Sequence, residues 1–151
     1  MFASEPYGWK LADALSARFV SVDAARHVFP ISGTDIRSAP YENWQFIPDV
    51  VRPYFLKRIA VVESRNDGEG RFAHELASRL RTVVVQDYLT YWESLGVTMD
   101  TEEDLHHVLR AQRASERALA PHANGILVLA GEPLDLEIEW TERGRSLPTW
   151  Y

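Results

Sequence analysis

The sequence has no cysteine among its 151 residues, so it can form neither a disulfide bond nor a thiolate metal site. It also lacks a signal-peptide pattern and any apolar run long enough to span a membrane. Basic side chains are in deficit, because 16 Lys and Arg face 22 Asp and Glu and leave a formal charge of -6. Binding to nucleic acid or to a membrane surface needs a basic face and is therefore not expected. These absences predict a cytoplasmic protein in which any bound phosphate is held by a local motif.

Hydrophobic residues make up 46% of the chain and aromatic residues 11%, which is enough to build a sizeable core. The second part of the chain alternates apolar runs with amphipathic segments, and its last helix begins with capping-box spacing at Thr101 and Asp104. This alternation favours a doubly wound α/β fold with a parallel sheet. The predicted strands cover residues 58–62, 82–85 and 125–129, and the predicted helices cover residues 71–80, 88–95 and 101–120.

The first part of the chain is less regular. The apolar pattern predicts a helix over residues 9–17 and a strand over residues 19–22, followed by an aromatic stretch that prolines interrupt. Residues 49–56 suit a short helix, although Pro53 would be awkward there unless it falls in the first turn. The change of pattern between the two parts indicates two domains. Their expected limits are residues 1–54 and residues 55–151.

The segment from Ile31 to Arg37 has the composition of a phosphate-binding helix start. The hydroxyl groups of Ser32 and Thr34 lie beside the expected helix N-terminus, where free backbone N–H groups point outward. Arg37 follows one turn later and adds a permanent positive charge over the same place. The alternative interpretation is an ordinary capped helix, with Thr34 as its N-cap and Arg37 in solvent. The surrounding residues decide between these two interpretations.

Four blocks of sequence carry a resemblance to a known family. They cover residues 4–8, 31–37, 44–48 and 51–55, and they read Ser-Glu-Pro-Tyr-Gly, Ile-Ser-Gly-Thr-Asp-Ile-Arg, Trp-Gln-Phe-Ile-Pro and Val-Arg-Pro-Tyr-Phe. In this order and spacing they resemble the central part of the bifunctional NadR-type proteins, which join a nicotinamide mononucleotide adenylyltransferase domain to a ribosylnicotinamide kinase domain. The resemblance implies a parallel-sheet, Rossmann-like nucleotidyltransferase remnant followed by a P-loop-kinase-like, doubly wound α/β segment. The first domain would then be the rear of the adenylyltransferase, and the second the front of the kinase.

The resemblance also implies a function in NAD biosynthesis, the transfer of an adenylyl group from ATP to nicotinamide mononucleotide with Mg²⁺ as cofactor. In the family the serine, threonine and arginine motif closes around the triphosphate of ATP. By resemblance, this assigns Ser32, Thr34 and Arg37 to phosphate binding. The same resemblance places Tyr7 and Gly8 in the nucleotide pocket. The implied partners are therefore small-molecule nucleotides, either ATP or nicotinamide mononucleotide.

One part of the adenylyltransferase pattern is missing. Enzymes of this class open with a strand, a glycine-rich turn and an H-x-G-H motif that stabilises charge on the leaving pyrophosphate. Nothing of this kind precedes Ser4, and the five histidines do not have that spacing. We therefore expect that this chain alone does not catalyse adenylyl transfer. The five histidines of the chain are His27, His74, His106, His107 and His122.

The segment aligned with the kinase P-loop has lost its phosphate-binding chemistry. A P-loop needs glycines to wrap the phosphates, a lysine to contact them and a hydroxyl group for Mg²⁺. Within residues 63–70 only Gly68 matches, while Glu69 replaces the lysine and Gly70 replaces the hydroxyl residue. Glu63 adds negative charge, and each like-charge contact at about 4 Å costs roughly 4 kcal/mol at an effective dielectric near 20. This loop should not bind a triphosphate, so kinase activity is not expected.

Two other segments that align with the kinase have also lost residues of its phosphate-binding and metal-binding chemistry. The family's E-Y-x-R segment falls on residues 87–90 and loses its arginine at Thr90, and its D-T-D segment falls on Gly131, Glu132 and Pro133. The acidic run around this point could attract a divalent ion, but a solvated face is the favoured interpretation, and no metal site is assigned. That run comprises Glu132, Asp135, Glu137 and Glu139.

Another class of function fits the same residues. Such a remnant could be a non-catalytic module that senses a nucleotide through Arg37 or that mediates an interaction. Both ends of the sequence are abruptly apolar, which would leave sheet edges and core faces uncovered. A subunit completed by a separately encoded front half, a homo-oligomer and a decaying fragment therefore stand as further alternatives.

Overall fold

A computed structural model describes residues 1–62, 70–131 and 133–151 of the chain. It contains two compact units, Met1–Phe46 and Ile47–Tyr151, which we call the first unit and the second unit. The domain limits expected from the sequence remain a prediction, because compactness alone does not define a domain. Each unit is described by itself below.

The first unit is built on a pair of short parallel strands. β1 (Phe2–Ala3) pairs with β2 (Val20–Ser21), and helix α1 (Gly8–Ala14) connects them. The sequence pattern does not predict β1, because two residues are too few to show an alternation of apolar and polar side chains. Helix α1 ends before residue 17, the limit expected from the sequence. The cause is Ser16, whose left-handed backbone (φ 51°) cannot belong to a right-handed helix.

Gly8 allows α1 to pack closely on this pair of strands. A Cβ atom at position 8 would lie 2.7 Å from the Cβ atom of Ala3 and 2.8 Å from Cε2 of Phe19. Real carbon atoms do not approach so closely, and Gly8 is buried between them. The absence of a side chain at this position is therefore a requirement of packing.

The first unit also contains helix α2 (Gly33–Ser38) and a 3₁₀ turn, Trp44–Phe46, at its end. Residues 49–56 do not form the short helix that the sequence predicts. Only a second 3₁₀ turn, Arg52–Tyr54, forms there, with Pro53 inside it. Proline has no N–H group and its ring clashes with the preceding turn, so an α-helix does not continue through this position.

The second unit contains a three-stranded parallel sheet. β3 (Lys57–Ala60) and β4 (Val84–Val85) both pair with β5 (Ile126–Leu129), which gives the order β3-β5-β4. β5 lies in the middle, and three of its four residues are buried. A continuous apolar run in a central parallel strand is typical of this arrangement. The α/β fold with a parallel sheet that the sequence predicts is therefore confirmed.

Among its described residues the second unit has four α-helices: α3 (Arg71–Arg79), α4 (Tyr88–Ser94), α5 (Glu102–Leu119) and α6 (Pro133–Glu142). α5 begins with the capping box that the sequence predicts, since the Thr101 hydroxyl accepts the N–H of Asp104. In the parts of the chain that are described, no helix is long and apolar enough to cross a membrane.

Helix α6 is not predicted by the sequence, which shows an acidic run over most of its length. Its apolar residues nevertheless recur at helical spacing, and Leu136 and Trp140 are both 3% exposed. They pack in a core with residues of α4, α5 and the segment between those helices. The other buried members of this core are Leu89, Met99, Leu105, Val108 and Leu109.

Gln112 is a buried polar residue on α5 that connects two helices. Its side chain is 6% exposed, and its Oε1 atom accepts the backbone N–H of Tyr88 at 2.8 Å. That N–H group belongs to the first turn of α4, where no intrahelical acceptor exists. Gln112 therefore holds the beginning of α4 against α5.

Replacing Gln112 by methionine should lower the free energy of unfolding by about 1–3 kcal/mol, because the N–H group of Tyr88 loses its acceptor while the volume is kept. Urea unfolding followed by circular dichroism measures the change. Gln45→Met is a matched control, because Gln45 is exposed and its replacement should have little effect. Equal stability of the two variants would show that the Gln112 bond contributes nothing.

Candidate functional site

A cleft of about 870 Å³ opens in the second unit at the carboxyl ends of the parallel strands. Its floor contains Val61 after β3, Gln86 and Asp87 after β4, and Ala130 and Gly131 after β5. Open parallel sheets bind their ligands in a crevice at this edge. The volume is also within the usual range for small-molecule pockets. We therefore take this cleft as the candidate site.

The walls of the cleft come from three helices. Helix α3 contributes its N-cap Gly70 and the side chain of His74, whose Nε2 atom lies 3.5 Å from Nε2 of Gln86. Helices α4 and α6 form the longer walls on the other sides. The residues of these walls are Thr90, Tyr91 and Ser94 on α4, Asp135, Ile138, Glu139 and Glu142 on α6, and Arg143 directly after it.

Asp87 is fixed at the floor of the cleft. Its carboxylate accepts the N–H of Leu89 at 3.1 Å and the N–H and hydroxyl of Thr90 at 3.2 and 2.7 Å. A Cβ atom at Gly131 would lie 2.9 Å from both Cβ and Cγ of Asp87, so only glycine fits opposite it. Thr90 is the residue expected from the sequence at the position of the family's arginine. Its hydroxyl group orients Asp87 and brings no positive charge.

The described lining of the cleft is predominantly acidic. It carries more carboxylates than cations, and its arginine is already paired. Arg143 donates to Glu93 at 3.2 Å, to Glu139, and to the Met99 carbonyl oxygen at 3.3 Å. The electrostatics therefore favour a ligand that is positively charged over one that is a free phosphate. The carboxylates of the lining are Asp87, Asp135, Glu139 and Glu142.

Tyr91 offers an aromatic face in the same cleft. Its side chain is 51% exposed, and its ring centroid lies 5.7 Å from that of Tyr88, at an interplanar angle of 55°. An exposed tyrosine ring attracts a cation placed over its face. The combination of carboxylates with an aromatic ring suits a positively charged aromatic group.

Of the segment that the sequence aligns with a kinase P-loop, residues 63–70, the structure describes only the last residue. Gly70 begins α3 in a left-handed conformation (φ 73°) and lines the cleft. Glu63, Gly68 and Glu69 lie outside the described residues, and so does Glu132 of the acidic run. Within the described residues no group of three or more histidine, aspartate or glutamate side chains is arranged as metal ligands.

In the first unit, Ser32 is the N-cap of α2. Its hydroxyl accepts the N–H of Asp35 at 3.0 Å and donates to the Asp35 carboxylate at 2.5 Å, and that carboxylate accepts the Ser32 N–H at 2.9 Å. The alternative with Thr34 as N-cap is therefore wrong, because the N-cap is Ser32, two residues earlier, which forms a complete capping box with Asp35. The Ser32 hydroxyl is thus already engaged in hydrogen bonds with Asp35. The carboxylate of Asp35 also puts a negative charge at the N-terminus of α2.

Arg37 folds back over the first turn of α2. Its Nη2 atom lies 3.4 Å from the hydroxyl oxygen of Thr34, and its Nη1 atom would be 3.2 Å from a Cβ atom at Gly33. In the described part of the chain Arg37 forms no ion pair. Thr34 and Arg37 thus lie together, as phosphate binding would need, while Ser32 is already engaged. Phosphate binding by Ser32, Thr34 and Arg37 stays a prediction.

Arg26 connects two of the segments that carry the resemblance, residues 4–8 and 31–37, and sequence reasoning missed it. Its guanidinium forms an ion pair with Glu5 and donates to the carbonyl oxygen of Ile31 at 2.5 Å. No motif or spacing marks this arginine, because its partners are 21 and 5 residues away. Tyr7 lies beside Glu5 and is 64% exposed, whereas Gly8 is buried in packing.

The chain is similar in sequence to the trifunctional NAD biosynthesis/regulator protein NadR of Escherichia coli (strain K12), with 31% identity over 74 residues. The NadR protein of Salmonella typhimurium (strain LT2) matches with the same identity over the same length. The matched stretch is 49% of this chain and only 18% of either relative. No protein-family model matches the sequence.

Two crystal structures of NadR share the fold of this chain. The structure in complex with NR has a TM-score of 0.73 and 22% identity, over 99% of this chain and 43% of that one. The structure in complex with NAD and AMP-PNP has a TM-score of 0.67 and 22% identity, over 87% of this chain and 40% of that one. These matches confirm the resemblance to NadR-type proteins. The chain spans less than half the length of the NadR chains that it matches.

The capping box of α2 leads to a prediction about the pKa of Asp35. The hydrogen bond from the Ser32 hydroxyl holds the pKa of Asp35 below its ordinary value of 3.8, so Ser32→Ala should raise that pKa. Because the folded pKa is lowered, the stabilising contribution of Asp35 is present above the ordinary pKa and is lost as the pH falls through the lowered one. An NMR titration of the carboxyl group measures the shift.

Thr34→Ala is the matched control, because the Thr34 hydroxyl makes no hydrogen bond to Asp35 among the described contacts. It should leave the pKa of Asp35 unchanged. If Ser32→Ala also leaves it unchanged, the Ser32 hydroxyl is not engaged with Asp35 and is available to a ligand phosphate.

Proposed function

We propose that this chain is a ligand-binding protein of NAD metabolism, which holds a pyridine nucleoside in the cleft of the second unit and transfers no phosphate. The observation that carries the proposal is the cleft itself, which combines the ligand-binding edge of a parallel sheet with an acidic lining. The similarity to NadR proteins supports it, since one NadR structure is a complex with NR.

Nicotinamide riboside (NR) has the chemistry that this cleft favours. Its pyridinium ring is aromatic and positively charged, and it carries no phosphate. The ring can lie over the half-exposed Tyr91 while the carboxylates of the lining balance its charge. The ribose hydroxyls can donate to a carboxylate such as Asp87, which the backbone of α4 already holds in place.

Phosphoryl transfer is not part of the proposal. The sequence has Glu69 where a P-loop needs lysine, and Thr90 where the family has arginine. In the described lining, Arg143 is bound to two carboxylates. A kinase stabilises the transferring phosphoryl group with cations and Mg²⁺. The acidic lining and the lost lysine act against both the nucleotide triphosphate and the transition state.

A second candidate function is that of a subunit completed by another polypeptide. In the first unit, which the structure describes throughout, Ala12 and Trp44 are the only buried hydrophobic residues. Such a unit buries little apolar surface for its size. Ser32, Thr34 and Arg37 would then contact the phosphates of ATP only in the completed site. The most exposed of its large apolar side chains are Phe2, Val28, Phe29, Leu15 and Trp9.

Nicotinamide riboside should bind the purified chain in isothermal titration calorimetry, whereas ATP should give no measurable heat. Tyr91→Leu should weaken binding by about 0.5–2 kcal/mol, the range for a cation over an aromatic ring. Tyr54→Leu is the matched control, because Tyr54 is 86% exposed and does not line the cleft. If nicotinamide riboside does not bind, or if both variants lose affinity equally, the cleft is not the site.

Incubating the chain with ATP, Mg²⁺ and nicotinamide mononucleotide should produce no NAD at an enzymatic rate, because the H-x-G-H motif is missing and Ser32 is engaged in its cap. An active adenylyltransferase in the same assay is the positive control. NAD formation by this chain would contradict the proposal that it binds without catalysis.

A further inference from the structure

We infer that the ion pairs of Arg143 make the cleft selective for a nucleoside over the matching nucleotide, an inference that rests on the proposed function. Arg143 is the arginine among the described lining residues. It is therefore the group that a ligand phosphate would seek, since arginine binds phosphate with two parallel hydrogen bonds. Whether a phosphate can bind depends on whether this guanidinium is available.

The guanidinium of Arg143 donates hydrogen bonds to three acceptors of the protein. Nη2 lies 3.2 Å from Oε1 of Glu93 on α4 and also donates to Glu139 on α6, while Nη1 donates to the carbonyl oxygen of Met99 at 3.3 Å. These acceptors come from two walls of the cleft and from the segment between α4 and α5. The arginine thus links the walls and faces protein acceptors rather than a ligand.

The residues that follow Arg143 in the sequence help to hold it in this place. Arg145 donates to the same Met99 carbonyl oxygen at 2.5 Å and to Oδ1 of Asp100 at 2.9 Å. Its guanidinium also lies 4.7 Å from the ring of Trp140. The segment after α6 is therefore fastened at two successive arginines, and turning Arg143 toward the cleft would break an arrangement that several groups share.

A phosphate that captured Arg143 would take it from Glu139. The side chain of Glu139 is only 15% exposed. Breaking the ion pair of a largely buried carboxylate costs several times more free energy than breaking that of an exposed one. The phosphate would also approach Glu93, which pairs with the same nitrogen. Nicotinamide riboside avoids both costs because it has no phosphate, and nicotinamide mononucleotide incurs both.

The test compares the affinities of nicotinamide riboside and nicotinamide mononucleotide, measured by calorimetry on the full chain. Glu139→Gln and Glu93→Gln each remove one acceptor of Arg143 from a different wall. Glu142→Gln is the matched control, because it removes one carboxylate from the same lining without touching Arg143 in the described contacts. Circular dichroism verifies that each variant is folded, and Glu93→Gln repeats the test if Glu139→Gln unfolds.

The wild type should prefer the riboside. Glu139→Gln and Glu93→Gln should each shift the affinity ratio toward the mononucleotide by about tenfold, since a freed arginine can form charge-assisted bonds to phosphate. Glu142→Gln should shift it by less than about threefold, as expected for an exposed charge. An equal shift in all three variants, or none in any, would overturn the role of Arg143. Failure of the wild type to bind either ligand would instead reject the proposed function.

Discussion

The pairing of β5 with a strand on each side is the constraint from which the second unit follows. Leu129 is aligned with Ala60 of β3 and with Val85 of β4, so all three strands end at the same level. The chain must leave each strand at this edge, and Gly131 and Asp87 come within van der Waals distance there. A side chain at Gly131 would force the ends of β4 and β5 apart. The cleft is thus a direct product of strand register.

Charge then determines what such a cleft can hold. Parallel strand ends and helix N-termini in nucleotide-binding folds usually attract phosphate. Here the helices that follow the strands bring carboxylates, and the arginine of the described lining is tied to Glu93 and Glu139. The same architecture therefore favours a cationic ring. A change of ligand class needs no change of fold, because fold and site chemistry are set by different residues.

The sequence predicted the elements whose signals are local. The three strands of the second unit are apolar runs, and α5 starts at a capping box that is visible in the sequence. Helix α6 was missed, because its acidic residues obscure the helical spacing of Leu136 and Trp140. The alternative interpretation of α2 had Thr34 as its N-cap, but the structure has Ser32 there, in a reciprocal cap with Asp35.

The candidate site was only half predictable. The aligned motifs named residues 87–90 and Gly131 only as kinase positions whose chemistry is lost, and three of these residues, Asp87, Thr90 and Gly131, line the cleft. No sequence motif marks Arg143. Its partner Glu93 lies 50 residues away, and the two side chains come into contact only when α4 and α6 pack on α5. Long-range ion pairs of this kind leave no pattern in a single sequence.

The most direct test of the account is an NMR titration of the ¹⁵N-labelled chain with nicotinamide riboside, because it reports where the ligand binds. The account predicts saturable shifts of the amide signals of Asp87, Tyr91 and Gly131, which surround the cleft, with those of Thr34 and Arg37 unmoved. Shifts confined to the first unit, or no saturable shift at any residue, would contradict the claim that this acidic cleft is the binding site.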